Sequence, residues 1–165
     1  MSLAIDWFGK RNGEDPMAYL DDVFRYAALR LGQREDAEDV AIEVVQALPN
    51  PCSKSNLRVY MLGMSRRKVA DRLRMARPTA EIRESDVPVS FDNAADEAAM
   101  VGIAMQTLSP DHREVLTLKY VVGLSSAEIG QVVGKKTEAI DSMLQRARSA
   151  FEQTWLQITS EEVKQ

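Results

Sequence analysis

The stretch Ser109 to Phe151, SPDHREVLTLKYVVGLSSAEIGQVVGKKTEAIDSMLQRARSAF, restricts what this chain can fold into more than any other part of it. It carries three helical patterns, each with its own start signal. Ser109 is a candidate N-cap, followed by Pro110 at the first helical position and Asp111 in the first turn. Ser125 precedes Glu128 by three residues, the spacing of a capping box. Thr137 is placed to cap the third helix, and Gly123 and Gly134 break the pattern between segments. Ile140, Leu144, Ala147 and Phe151 fall at i, i+4, i+7 and i+11, which predicts one buried stripe. Glu138, Asp141, Ser142, Gln145, Arg146 and Ser149 then face away from it. A short helix, a glycine turn and a second helix with a polar outer face form a helix-turn-helix, whose second helix enters a DNA major groove. Gly130, four residues before Gly134, suits a place where the two helices cross closely. The same caps and stripes also fit a plain three-helix bundle.

Bulk properties narrow the classes. Hydrophobic residues make up 45% and charged residues 28% of the 165, a globular balance, and β-branched runs are few. The expected fold class is therefore all-α. A net charge of −4 argues against a protein that coats nucleic acid indiscriminately, while leaving room for a local basic face. One cysteine, Cys52, makes no disulfide framework and fits a reducing cytoplasm. With a single histidine, His112, no metal site is expected, and no cofactor-binding motif is present. No apolar run approaches the ~18 residues of a membrane span, and the N-terminus lacks a basic-then-apolar signal pattern.

Residues 1–14 read as an N-terminal extension without a strong period. Asp15-Pro16 then starts a helix whose core stripe is Leu20, Val23, Phe24, Ala27, Ala28 and Leu31, closed by Gly32. A second helix runs from about Gln33 to Leu48, buried through Ala37, Val40, Ala41, Val44, Val45 and Leu48. Its outer face is acidic: Glu35, Asp36, Glu38, Asp39 and Glu43, with Arg34 the only base. Two readings stand, a solvated face favoured by the helix dipole and a docking surface for a basic partner. Pro49-Asn50-Pro51 ends this helix, and Ser55 is positioned to cap the next. From Lys54 to Arg77 the charge reverses, with eight bases against one acid, Asp71. Lys54, Arg58, Arg66, Arg67, Lys68, Arg72 and Arg74, with Tyr60 among them, suit phosphates and an unstacked base. Alternatively, this basic helix pairs with the acidic one beside it in sequence. Leu62, Val69, Leu73 and Ala76 give it a core side. Residues 78–93 read as a flexible acidic linker. Helical spacing resumes at Ala94 through Ala98, Val101, Met105 and Leu108. The last helix is expected to reach about Thr159, with 160–165 fraying.

The combination resembles a bacterial RNA polymerase sigma factor of the small extracytoplasmic-function (ECF) type, over about residues 17–153. Leu108, Pro110, Arg113, Glu114, Val115 and Leu116, then Gly123-Leu124-Ser125 and Ala127-Glu128-Ile129, follow the sigma region 4 pattern. Ser142, Leu144, Arg146, Ala147 and Arg148 continue it. Asp36-Ala37-Glu38-Asp39-Val40 is similar to the Asp-Ala-Glu-Asp-Leu segment of region 2, and Arg66 with Asp71 to Arg74 stand where its promoter-reading helix lies. The resemblance implies two small helical domains joined by the acidic linker. Residues 15–77 form a region 2-like domain that binds core polymerase and the proximal (−10) promoter element. Residues 94–159 form a region 4-like helix-turn-helix that binds the distal (−35) element. It implies that Glu35, Asp36, Glu38 and Asp39 dock on core polymerase. Lys54, Arg58, Tyr60, Arg66, Arg67, Lys68, Arg72 and Arg74 then hold the melted proximal element, with the Pro49 to Asn56 loop near a flipped base. Lys135, Lys136, Thr137, Glu138, Asp141, Ser142, Gln145 and Arg146 meet the distal element. Implied partners are core RNA polymerase, promoter DNA and an anti-sigma factor, for a cytoplasmic, non-enzymatic protein that is monomeric when free.

The chain departs from the family pattern in places. Where a Gln-Glu pair and an aromatic are usual it has Ile42, Glu43 and Val45. Tyr60 replaces a Trp, Arg67 an Asn, and Asp141 and Met143 fall at positions often basic. A carboxylate facing DNA repels phosphates but accepts from cytosine N4. The rival reading is a sigma-like decoy that sequesters an anti-sigma protein; the basic helix argues against it. A dimeric helix-turn-helix repressor is disfavoured by the acidic helix, the linker and the lack of a dimerisation element.

Overall fold

The computed structural model describes residues 14–49, 55–76 and 95–162, which are predominantly helical. The chain divides into two compact units, Met1–Ala80 and Glu81–Gln165. The 1–13 segment, Lys54 with most of its loop, Arg77, the 78–93 stretch and Ala94, the expected start of the next helix, lie outside the described residues.

In the first unit a 3-10 turn, Pro16–Tyr19, leads into α1 (Leu20–Leu31), α2 (Arg34–Gln46) and α3 (Leu57–Met75). Asp15 caps the entry through its carboxylate, which accepts from Met17 N at 2.9 Å. Gly32 ends α1 in the left-handed conformation, φ 74°, where its N–H reaches Ala28 O. The three helices pack on one another around Val23, Tyr26, Ala27, Val40, Val44, Leu57, Met61, Leu62 and Val69, all nearly inaccessible. Each such aliphatic side chain contributes roughly 1.5–3 kcal/mol of transfer free energy.

The first unit differs from the expected stripes and caps at three places. Leu20, Phe24, Ala28 and Leu31 are only half-buried, and Tyr26 fills the α1 face instead. Leu73 and Ala76 are exposed because α3 runs past the end of its neighbours' packing there. The cap of α3 is Asn56, not Ser55: its side chain accepts from Val59 N at 3.0 Å. Glu14 adds a carboxylate at the same helix start, accepting from Leu57 N at 3.3 Å.

The second unit contains α4 (Ala95–Thr107), α5 (Pro110–Leu116), α6 (Ser126–Val133) and α7 (Thr137–Glu162), with a π-helical turn, Thr117–Val121, extending α5. Helices α4, α5 and α6 all pack against α7. The Ser109 cap and the Ser125–Glu128 capping box both form. Gly134 closes α6 at φ 74°. The α7 helix is 26 residues and runs through Ser160 to Glu162, beyond the expected end at Thr159. Thr137 is its first residue rather than its cap; the Lys136 carbonyl accepts from Ile140 N. On α4, Val101 is exposed and Ala104 is buried with Leu108, a shift of the predicted stripe.

Arg113 ties α5 to α4. Its guanidinium donates to the carbonyls of Met105 (2.9 Å) and Gln106 (2.7 Å) in the last turn of α4. A cation at that helix end also matches its partial negative charge.

Candidate nucleic-acid and partner interfaces

The helix-turn-helix is held by one tight contact. A Cβ on Gly130 would meet the Lys135 backbone oxygen at 2.5 Å and the Ile140 side chain at 3.8 Å. The close approach is therefore to the turn backbone first and to the crossing helix second. Lys135 N donates to Gly130 O at 2.9 Å in the same turn. This turn aims the start of α7. Ile140, Leu144 and Ala147 are buried, while Lys135, Lys136, Thr137, Glu138, Asp141, Ser142, Gln145 and Arg146 are all exposed. Glu138, Asp141, Ser142 and Gln145 share one face by their three- and four-residue spacing. Two side chains on it are partly committed to their own helix: Ser142 Oγ donates to Glu138 O, and Arg146 Nε to Ser142 O. Met143, at a position often basic in the family, is half-buried. Beside this face Arg148 donates to the exposed Tyr120 hydroxyl at 3.2 Å, a pair joined across the fold that spacing could not reveal.

On α2, Glu35, Glu38 and Asp39 are exposed and Asp36 is half-buried. Arg34 donates to Glu38 at 2.8 Å and lies over the Phe24 ring, 5.9 Å from its centre, so the one base of this face is spent within it. Exposed Ile42 lies in line with Glu38 and Asp39.

The basic helix α3 is largely neutralised by carboxylates of its own unit. Arg58 Nε donates to Asp22 on α1 at 2.7 Å, a pair that is mostly shielded. Lys68 and Arg72 both engage Glu43 on α2, at 3.2 and 2.6 Å. Arg74 pairs with Asp71 on α3 itself. Arg67 is exposed and donates from Nε to Gly63 O, while Tyr60 and Arg66 are half-buried. Pairing between the basic and acidic helices is thus realised, through Glu43 rather than through the four acids at the start of α2. Sequence reading grouped Glu43 with those acids. Its one distinguishing signal was the spacing of Lys68 and Arg72, four residues apart on one face of α3.

The Arg72 guanidinium first, opposed by burial and helped by the Lys68 ammonium, holds the Glu43 carboxyl below its ordinary value. A lowered folded value means that ionised Glu43 stabilises the unit above the unfolded pKa. That stability is lost as the pH falls through the lower, folded value. Thermal unfolding from neutral pH down to about pH 3 should therefore show a steeper loss for wild type than for Glu43→Gln below about pH 4.5. Equal slopes would remove Glu43 from this role.

A family model described as Sigma-70, region 4 matches residues 101–151. The chain is 32% identical over 143 residues to the ECF RNA polymerase sigma factor SigD of Mycobacterium bovis (strain ATCC BAA-935 / AF2122/97), covering 76% of this chain and 68% of that protein. It is 29% identical over 169 residues to the ECF RNA polymerase sigma factor SigG of Mycobacterium tuberculosis (strain ATCC 25618 / H37Rv), covering 81% of this chain; it spans about half, 46%, of that relative. Its fold is similar to that of the sigma factor RpoE from Bartonella quintana, solved with the anti-sigma factor NepR. The TM-score is 0.66 at 19% identity, over 84% of this chain and 92% of that one.

Proposed function

Because the chain belongs to the ECF RNA polymerase sigma factors, we propose that it binds core RNA polymerase and directs promoter-specific initiation of transcription. The observation that carries this reading is the exposed face of α7 and the turn before it, from Lys135 to Arg146, set by a capped helix-turn-helix inside the segment that matches sigma region 4. In this reading α7 enters the major groove of the distal element, and the α3 bases with Tyr60 hold the melted proximal element. The α2 acids Glu35, Asp36, Glu38 and Asp39 dock on a basic surface of core polymerase. The acidic 78–93 stretch follows the path later taken by RNA, its charge resembling nucleic acid. RNA synthesis is the polymerase's chemistry, so the chain contributes binding and positioning without a cofactor. It works in the cytoplasm as a monomer until it meets core, DNA or an anti-sigma factor.

The test is a run-off assay with core polymerase and genomic fragments. The expected result is a transcript from a specific promoter that is absent with core alone. No transcript from any fragment, together with tight binding to an anti-sigma protein, would favour the decoy.

A further inference from the structure

We infer that Glu43 is a selectivity determinant for nucleic acid, acting through Lys68 and Arg72 by competing with phosphates for them; the inference rests on the reading of α3 as a single-strand surface. Glu43 stands in the last turn of α2, where a carboxylate faces the negative end of the helix dipole and that turn supplies no base. Nothing local favours an acid there. What stabilises it comes from α3: Oε2 accepts from Lys68 Nζ at 3.2 Å and Oε1 from Arg72 Nη2 at 2.6 Å. Both cations are about three-quarters shielded, and Glu43 is less so, at 41% side-chain exposure. One carboxylate thus engages two bases one helical turn apart on the face of α3 that would track a strand.

The arrangement has a direct consequence for binding. A phosphate that approaches Lys68 or Arg72 must either displace Glu43 or meet its negative charge. Non-specific polyanions gain little from the two cations, so the helix discriminates against them despite its composition. A strand held by other contacts as well can recruit the pair by displacing Glu43. Glu43 is therefore a positioning residue, with no contact to the reacting strand required of it.

The experiment measures anisotropy of a fluorescein-labelled oligothymidylate with the full chain over a range of salt concentrations. Glu43→Gln is expected to bind roughly threefold to tenfold more tightly at low salt, the scale of two partly exposed ion pairs. Its salt dependence, d log K/d log [salt], should steepen by about 1.4, for two added single-strand phosphate contacts at ~0.7 each. Adding Lys68→Gln and Arg72→Gln to that variant should return the slope to the wild-type value. A residue that only supports the fold would lower the melting temperature and leave the slope unchanged, and that result overturns the inference. Weaker binding by Glu43→Gln, or binding by neither chain, also overturns it. The run-off assay reports on the sigma factor reading separately, since promoter-dependent transcripts do not depend on how oligothymidylate binds.

Discussion

Replacing Asp36 and Asp39 by Lys is expected to weaken association with core polymerase by more than about a hundredfold, or some 3 kcal/mol, while leaving the fold intact. Losing a charge pair at the centre of an interface costs about 2–5 kcal/mol, and reversal adds repulsion to loss. Neither side chain has an ion pair recorded among the described residues, so unit 1 loses no such contact. Asp36 lies in the first turn of α2, and a Lys there opposes the helix dipole by about 0.3–1 kcal/mol. A small drop in melting temperature should accompany the loss of binding and not explain it. Competition between the variant and labelled wild type for core polymerase gives the answer. Undiminished competition would sink the docking role of α2. Reversing Glu38 should do less, because Arg34 already occupies it.

Gly130→Ala should destabilise the second unit by about 1–3 kcal/mol and abolish duplex binding, through one added methyl group. The new Cβ would lie 2.5 Å from a backbone oxygen, and backbone cannot move aside as a flexible side chain can. The turn from Gly130 to Lys135 must open, and the α7 start moves with it. Gly63→Ala is the matching control. Gly63 is inside α3 with nothing within 4 Å of its Cβ position, so the same substitution should stabilise the first unit by about 0.5–1 kcal/mol. Calorimetry of both variants, with anisotropy on a duplex promoter fragment, separates the effects. A Gly130→Ala chain with normal stability and normal DNA binding would remove the turn as the device that aims α7.

Several parts of the fold and its faces were legible before any coordinates. The Ser109 and Ser125 caps and the Gly32 and Gly134 terminators stand as read, and the expected α7 stripe is buried at Ile140, Leu144 and Ala147 but only half-buried at Phe151. The exposure of Glu138, Asp141, Ser142, Gln145 and Arg146 followed from that stripe. Neighbouring choices were less clear. Ser55 and Asn56 are both good caps one residue apart, and α3 starts at Leu57, which makes Asn56 the cap. Stripes also overstate burial at helix ends, as at Leu20 and Leu73, because a period does not tell how far a neighbouring helix reaches.

What the sequence by itself determined is the set of interactions closed within a turn or two of helix: caps, glycine terminators, amphipathic faces and the helix-turn-helix they build. Their partners are three or four residues apart, so spacing encodes them. The tertiary structure alone decided which side chains meet across helices. Asp22 meets Arg58 across 36 residues, Glu43 meets Lys68 and Arg72 across 25 and 29, and Tyr120 meets Arg148 across 28. Those distances along the chain are bridged only by packing. A helix that reads as strongly basic in composition therefore presents much less net charge in the folded unit.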